Sequence, residues 1–265
     1  VQVGIVGVRD AAEPVCRRLA AAGVRVVAWD AERPRAQRLA AVPGVAVRRT
    51  LATLAKALAA PRTLLVFDAD PGRDLSELAR CAGAGGLVAD AGEGEPEAAA
   101  ARAAALAAHA VDYVDVALFA SPASVEAGFG VVAGGSAAAY AKFAPLARLL
   151  GFQADYAALR AGSAGAARFL RQLQALLARQ SMAGVEQALR GIQDSPQFIG
   201  SPAALLSAWR SGAAGNEAVA ALCERYLALA GGEEGPAVSA ARAWGATART
   251  AAAFFEQLAA VPPRG

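Results

Sequence analysis

Gly7, Arg9 and Ala12 fall at the three positions where a phosphate-binding turn between a strand and a helix places its glycines. In Gly-x-Gly-x-x-Gly the first glycine makes the turn, the second lets a pyrophosphate approach the backbone, and the third packs helix on strand. Gly7 supplies the first and Ala12 is a tolerable third, but Arg9 puts a long cationic side chain at the second. Gly7, Val8 and Arg9 are therefore the candidate phosphate-side residues. Backbone N–H groups of Gly7 and Val8 at a helix N-terminus would be the donors. An Arg9 side chain turned outward admits a dinucleotide, and one lying across the turn excludes it. Asp30 follows about twenty residues later, where a carboxylate accepts hydrogen bonds from an adenosine ribose and repels a 2′-phosphate. It favours NAD over NADP if either binds. An N-cap for the segment Pro34–Ala41 accounts for Asp30 equally well. Phe67 and Asp68, with Asp70 beyond them, fall at the expected cofactor edge, and their acids serve phosphate poorly.

A second set of residues bears on substrate and proton transfer. Arg168 and Arg171 are spaced to clamp a carboxylate bidentately, with an ion pair or a solvated helix face as the alternative. Glu93, Asp68 and Tyr156 border the same expected crevice, one of them a candidate proton carrier, with a solvated loop residue as the favoured account of each. His109, the single histidine, precedes a strand and so lies at the amino-terminal edge of the sheet, away from ligands. Cys16, Cys81 and Cys223 have no metal-ligand spacing and read as buried free thiols in a reducing compartment. No metal site is expected.

The elements that must position these residues alternate. Strand-like runs at Val1–Gly7, Val24–Trp29, Val45–Arg48, Thr63–Phe67, Gly86–Ala89, Val111–Val116 and Gly128–Ala133 are separated by helical patterns at Pro14–Ala22, Pro34–Ala41, Leu51–Ala60, Asp74–Ala82 and Pro96–Ala108. A further helix follows at Ala137–Leu150. Such alternation makes an α/β fold with a Rossmann-like, doubly wound sheet. The pattern is then helical almost to the end: one long helix over Gly165–Gly191, burying Phe169, Leu173, Leu176, Leu177 and Met182, and shorter ones at Pro202–Trp209, Asn216–Ala230, Pro236–Trp244 and Ala248–Ala260. The expected organisation is a nucleotide-type domain over 1–155 and an all-α domain over 156–265.

The formal charge is +3, but the arginines are scattered and do not alternate with aromatics, which argues against nucleic acid. No uncharged run is long enough to span a membrane, and the chain enters a strand at once. It reads as a soluble cytoplasmic protein.

The order of motifs resembles the 6-phosphogluconate dehydrogenase family, within the β-hydroxyacid dehydrogenase superfamily, in its shorter bacterial type. The resemblance runs nearly end to end. It is carried by Val111-Asp112-Tyr113-Val114-Asp115-Val116, then Glu126-Ala127-Gly128-Phe129 and Ala133-Gly134-Gly135, and further on by Ala208-Trp209-Arg210-Ser211-Gly212 and weakly by Gly232–Gly245. In that family a lysine takes the substrate hydroxyl's proton during hydride transfer to NAD(P), and a glutamate later protonates the enediol, within Lys-x-x-His-Asn-x-x-Glu. The resemblance puts Arg171, Gln174, Ala175 and Ala178 at the four defined positions, so every one is changed. Arginine stays protonated and cannot cycle as base and acid, and alanine donates nothing. Phe119-Ala120-Ser121 replaces the family's Ser-Gly-Gly substrate loop, leaving Ser121 as its polar member. Glu93 stands where an asparagine would meet nicotinamide and substrate.

Two functions from different classes follow, with a third behind them. The favoured one is a degenerate member, a pseudoenzyme serving as a binding or assembly subunit with a heteromeric protein partner. The alternative is an NAD(P)-dependent oxidoreductase on a small anionic, carbonyl or imine substrate, since hydride chemistry belongs to the cofactor. A non-redox enzyme using the same crevice, with no dinucleotide at all, is the third. The resemblance also implies a homodimer.

Overall fold

The computed structural model describes residues 1–9, 11–67, 75–119, 128–151, 159–179 and 202–260, without the side chains of 202–211, 213 and 254–260. The first half builds alternating elements in chain order: β1 (Gln2–Val6), α1 (Ala12–Ala21), β2 (Arg25–Trp29), α2 (Arg33–Ala40), β3 (Val45–Val47), α3 (Leu51–Lys56), β4 (Thr63–Val66), α4 (Leu75–Ala82), β5 (Leu87–Asp90), α5 (Pro96–Ala107) and β6 (Asp112–Phe119). Then come β7 (Gly130–Gly135), α6 (Ala137–Leu150) and β8 (Leu159–Gly162). The helix α7 occupies residues 166–179, followed by α8 (Pro202–Ala230) and α9 (Pro236–Ala260).

The sheet runs β3-β2-β1-β4-β5-β6-β7-β8. Its first six strands are parallel neighbours, the arrangement expected of apolar runs joined by crossover helices. The order reverses between β1 and β4, which is the switch point where such sheets bind ligands. β7 is antiparallel to β6, because the stretch 120–129 is shorter than the dozen or more residues of a crossover. β8 pairs parallel with β7. Its Leu-Arg-Ala-Gly sequence lacks β-branched residues, so the strand is decided by its partner rather than by propensity.

Alternation along the strands feeds two cores. Val3 and Ile5 of β1 join Val15, Leu19, Phe143 and Leu146 on one face. Val6 joins Leu51, Leu54, Leu78 and Leu106 on the other. Gly4 is required there by close approach, since a Cβ would lie 2.8 Å from methyl groups of both Leu54 and Leu64.

The chain divides into compact units at Val1–Arg168 and Phe169–Gly265, later than the boundary near 155 read from the sequence, because β8 extends the sheet. In the second unit Phe169 and Tyr226 stack with ring centroids 4.2 Å apart. The pairs of short helices expected near Asn216 and Ala248 are instead two continuous helices. Gly245 lies inside α9, where a Cβ would come 3.1 Å from Cys223 Cβ. It lets two helices pack closely rather than ending one. Along α7, Phe169 and Leu173 are buried and Leu176 and Leu177 half-buried. Met182 lies outside the described residues.

Candidate functional site

Gly7 leaves β1 at φ +82°, a left-handed conformation that glycine adopts without strain. Its N–H donates to Trp29 O at 2.9 Å. Val8, buried, donates its N–H to Asp30 Oδ2 at 2.6 Å, and Glu32 N–H donates to Asp30 Oδ1 at 2.6 Å. Asp30 thus ties the turn after β1 to the end of β2 and is only 9% exposed. It does not cap α2, whose N-cap is Glu32 without a side-chain cap bond, so that alternative falls. Arg9 is exposed, and its carbonyl accepts from Ala12 N–H at 2.8 Å as α1 begins. The N–H groups of Gly7 and Val8 are already used within the fold. In the first turn of α1 the Ala12 N–H is likewise spent on Arg9 O, and Pro14 has no N–H to offer. Phe67 is buried in the core, its N–H donating to Val6 O at 2.8 Å. Asp68 and Asp70 lie outside the described residues.

A second cluster forms where β5 and β6 run side by side, with Asp90 and Asp115 in register. Asp90, 1% exposed, is the hub of a charged network. Its Oδ1 accepts from Gly92 N–H at 2.9 Å. Its Oδ2 accepts from Arg102 Nη1 at 2.7 Å, Tyr113 Oη at 2.9 Å and Arg168 Nη2 at 2.7 Å. Asp115, fully buried, accepts Gly165 N–H at 2.8 Å on Oδ1 and Arg168 N–H at 2.9 Å on Oδ2. It thereby satisfies N–H groups at the start of α7, where a negative charge is also favoured by the helix dipole. Gly134 on β7 must lack a side chain, because a Cβ would lie 2.4 Å from Asp115 Oδ1.

Burial pushes the Asp115 carboxyl up to about 6, while the Arg168 and Gly165 N–H groups and the Arg168 charge hold it down. Burial, and then the Asp90 charge, push the Tyr113 hydroxyl well above its ordinary value. Tyr113 is accordingly a fixed donor at neutral pH. Removing one member of a buried ion pair costs about 3–5 kcal/mol, so this cluster is a rigid post holding α5 and the first turn of α7 to the sheet.

Arg168 is therefore 3% exposed and ion-paired to Asp90, which corrects its reading as one arm of an open clamp with Arg171. Arg171, half-buried, lies three residues on in α7, with Gln174 and Ala178 exposed and Ala175 half-buried. Offsets of three, four and seven keep Arg171, Gln174, Ala175 and Ala178 on one side of that helix. Glu93 is exposed in the β5–α5 loop, and His109 sits just after α5, ahead of β6, as the sequence implies. Ser121 and Tyr156 lie outside the described residues. No group of His, Cys, Asp and Glu among the described residues is arranged to hold a metal ion. No helix among them is long and apolar enough to cross a membrane.

Sequence reasoning passed over Asp90, Asp115, Arg102 and Tyr113 as partners in one cluster. The available signal was an acid inside each of two apolar runs, Leu87-Val88-Ala89-Asp90 and Val114-Asp115-Val116. A charge inside a buried strand needs a partner.

Residues 2–157 match the model of a family described as the NAD binding domain of 6-phosphogluconate dehydrogenase. Comparison with curated proteins yields no match. Among solved structures, the chain resembles an imine reductase variant from Myxococcus stipitatus in complex with NAD+, at 20% identity over 96% of this chain and 94% of that one, with a TM-score of 0.63. It resembles the 3-hydroxyisobutyrate dehydrogenase of Mycobacterium tuberculosis with L-serine at 16% identity over 97% and 98%, with a TM-score of 0.61. The 6-phosphogluconate dehydrogenase of Plasmodium falciparum is similar at 15% identity over 80% of this chain and 48% of that one, with a TM-score of 0.65. At these identities the likeness is one of fold.

Proposed function

Since the chain belongs to the family of the NAD binding domain of 6-phosphogluconate dehydrogenase, we propose that it binds a nicotinamide dinucleotide at the C-terminal ends of β1, β2 and β4, NAD(H) in preference to NADP(H). We further propose that it acts as a reductase on a small carbonyl or imine substrate. The observation that carries the cofactor is Asp30, a near-buried carboxylate at the end of β2, held beside the positive-φ turn at Gly7. It can accept from ribose hydroxyls with its remaining lone pairs and disfavours a 2′-phosphate.

When bound, the dinucleotide supplies the hydride. At the position that the resemblance gives to the family's proton-taking lysine, the guanidinium of Arg171 cannot accept the proton of an alcohol, but it can donate a hydrogen bond to an oxygen gaining negative charge. Reduction of a carbonyl can use that donor with the proton drawn from water, and the reverse oxidation returns the proton to water through the same transition state. The homodimer implied by the resemblance belongs to this proposal.

A second reading, a non-catalytic binding or assembly subunit, is favoured by the N–H groups of Gly7 and Val8 being spent within the fold and by alanine at 175 and 178. Calorimetric titration with NADH and NADPH, followed by NADH consumption with small 2-oxo acids and cyclic imines, separates the two. NADH is expected to bind at least about tenfold tighter than NADPH, a difference of about 1.4 kcal/mol. With a turned-over substrate, Arg171→Ala is expected to lower kcat about 10²-fold, the usual cost of one such donor. Binding without turnover selects the subunit, and binding of neither dinucleotide rejects the proposal.

A further inference from the structure

The N-terminus of α7 is capped from a distance. The segment leading into it, Gly162-Ser163-Ala164-Gly165-Ala166-Ala167, holds no carboxylate, and Gly165 stands at φ +102°, in backbone that no side chain stiffens. The first N–H groups of a helix have no partner within it. Here Ala166 N–H donates to Ser163 O at 3.1 Å. Those of Gly165 and Arg168 go to the two carboxylate oxygens of Asp115 on β6, 50 and 53 residues earlier in the chain.

Packing at this cap is close. Asp115 is fully buried, and a Cβ on Gly134 would lie 2.4 Å from its Oδ1, 2.5 Å from Ser163 O and 2.9 Å from Ala166 N, so sheet and turn meet without room for a methyl group. The Arg168–Asp90 pair holds only the end of a long side chain. Asp115 instead holds main chain at two points three residues apart, which fixes where the helix begins and how its first turn faces. Arg171 stands three residues beyond Arg168 on the same helix and moves with that turn.

We propose that Asp115 is a positioning residue for reduction, holding Arg171 at the substrate oxygen by fixing the first turn of α7 to β6. The inference rests on the proposed reductase, with Arg171 as its donor. Enclosed by protein, Asp115 acts through the helix. The charged and titratable groups around it are Arg168 of α7, Asp90 in register on β5 and Tyr113 on β6. Arg102 of α5 reaches Asp90, and β7 faces Asp115 with Gly134, which has no side chain. Burial raises the Asp115 carboxyl to about 6, so acidification through that value places a proton on one of the two accepting oxygens.

The test compares steady-state reduction by the wild type, Asp115→Asn, Arg171→Ala and the double variant, with NADH affinity from calorimetry. Asparagine turns an amide donor toward one of the two N–H groups. Its kcat is expected to fall about tenfold, within the 10²-fold that a misplaced reacting group can cost, with NADH affinity unchanged. In the Arg171→Ala background the same change is expected to alter kcat by less than about twofold, because the two residues act as one. A general loosening of the fold lowers kcat in both backgrounds. Wild-type kcat is also expected to fall as the pH drops through about 6, while the contribution of Asp115 to stability returns. A purely structural carboxylate would move activity and stability together. Arg171→Ala is expected to lack that inflection, and the profile decides the matter if Asp115→Asn does not fold. An unchanged kcat in Asp115→Asn, equal losses in both backgrounds, or a wild-type profile without the inflection overturns this inference alone. NADH binding without turnover by the wild type overturns the reductase reading and the inference with it.

Discussion

At the scale of single residues, the chain keeps the geometry of a nucleotide turn while changing the side chains around it. Asp30 shows how one group serves two ends: its oxygens close the turn through Val8 and Glu32, and on the proposed reading its remaining lone pairs accept from a ribose. Asp30→Asn keeps one acceptor and loses the other, together with the negative charge. It is expected to lower the unfolding free energy by about 1–3 kcal/mol in urea denaturation and to narrow the NADH over NADPH preference about tenfold. Equal preference before and after the change would show that Asp30 does not meet the ribose. Arg9→Gly restores the second glycine, and NADH affinity is expected to rise by up to about tenfold. Unchanged affinity in calorimetry would place the pyrophosphate elsewhere. Both residues were legible in the sequence because a turn motif has fixed local offsets. Arg168 was legible as a charge but not as a buried one, since its partner Asp90 lies far away along the chain.

Elements are joined here by carboxylates. The first turn of α7 is fixed to β6 by Asp115 and to β5 by the Arg168–Asp90 pair, and Arg18 of α1 donates to the carbonyls of Leu149 and Gly151 at the end of α6. Asp115 makes the first junction depend on pH. Its folded carboxyl is at about 6 against an ordinary value of 3.8. Folding therefore favours the proton, so the contribution is fully present below about pH 4 and is lost as the pH rises through about 6. The unfolding free energy of the wild type relative to Asp115→Asn is expected to fall across that window and level off near neutrality. A difference independent of pH would remove Asp115 as the titrating group. The alternating helices and strands were readable from period and punctuation, whereas β8 and the continuity of α8 and α9 were not. A short strand of Leu-Arg-Ala-Gly exists only through pairing with β7, and glycines within α8 and α9 read as breaks until their packing is known.

For the whole molecule, two compact units are built from one chain, and the proposed pairing of chains rests on the family resemblance alone. Sedimentation equilibrium from about 1 to 100 µM is expected to give a dimer mass, with a melting temperature that rises with protein concentration. A monomer mass throughout removes the pairing. The sequence by itself determined the α/β class, the alternation of strands and helices as far as α6 and the place of the glycine turn after β1. These follow from periodicity and from spacing within a few residues, which local sterics and hydrophobic burial enforce. Only the tertiary structure decided that Asp90 and Asp115 stand side by side and that Arg168 is enclosed with donors to spare. It also decided that the N–H groups of the turn are already taken by Trp29 and Asp30. Those facts depend on which distant segments the sheet brings together, and a buried charge is defined by its neighbours rather than by its own position in the chain.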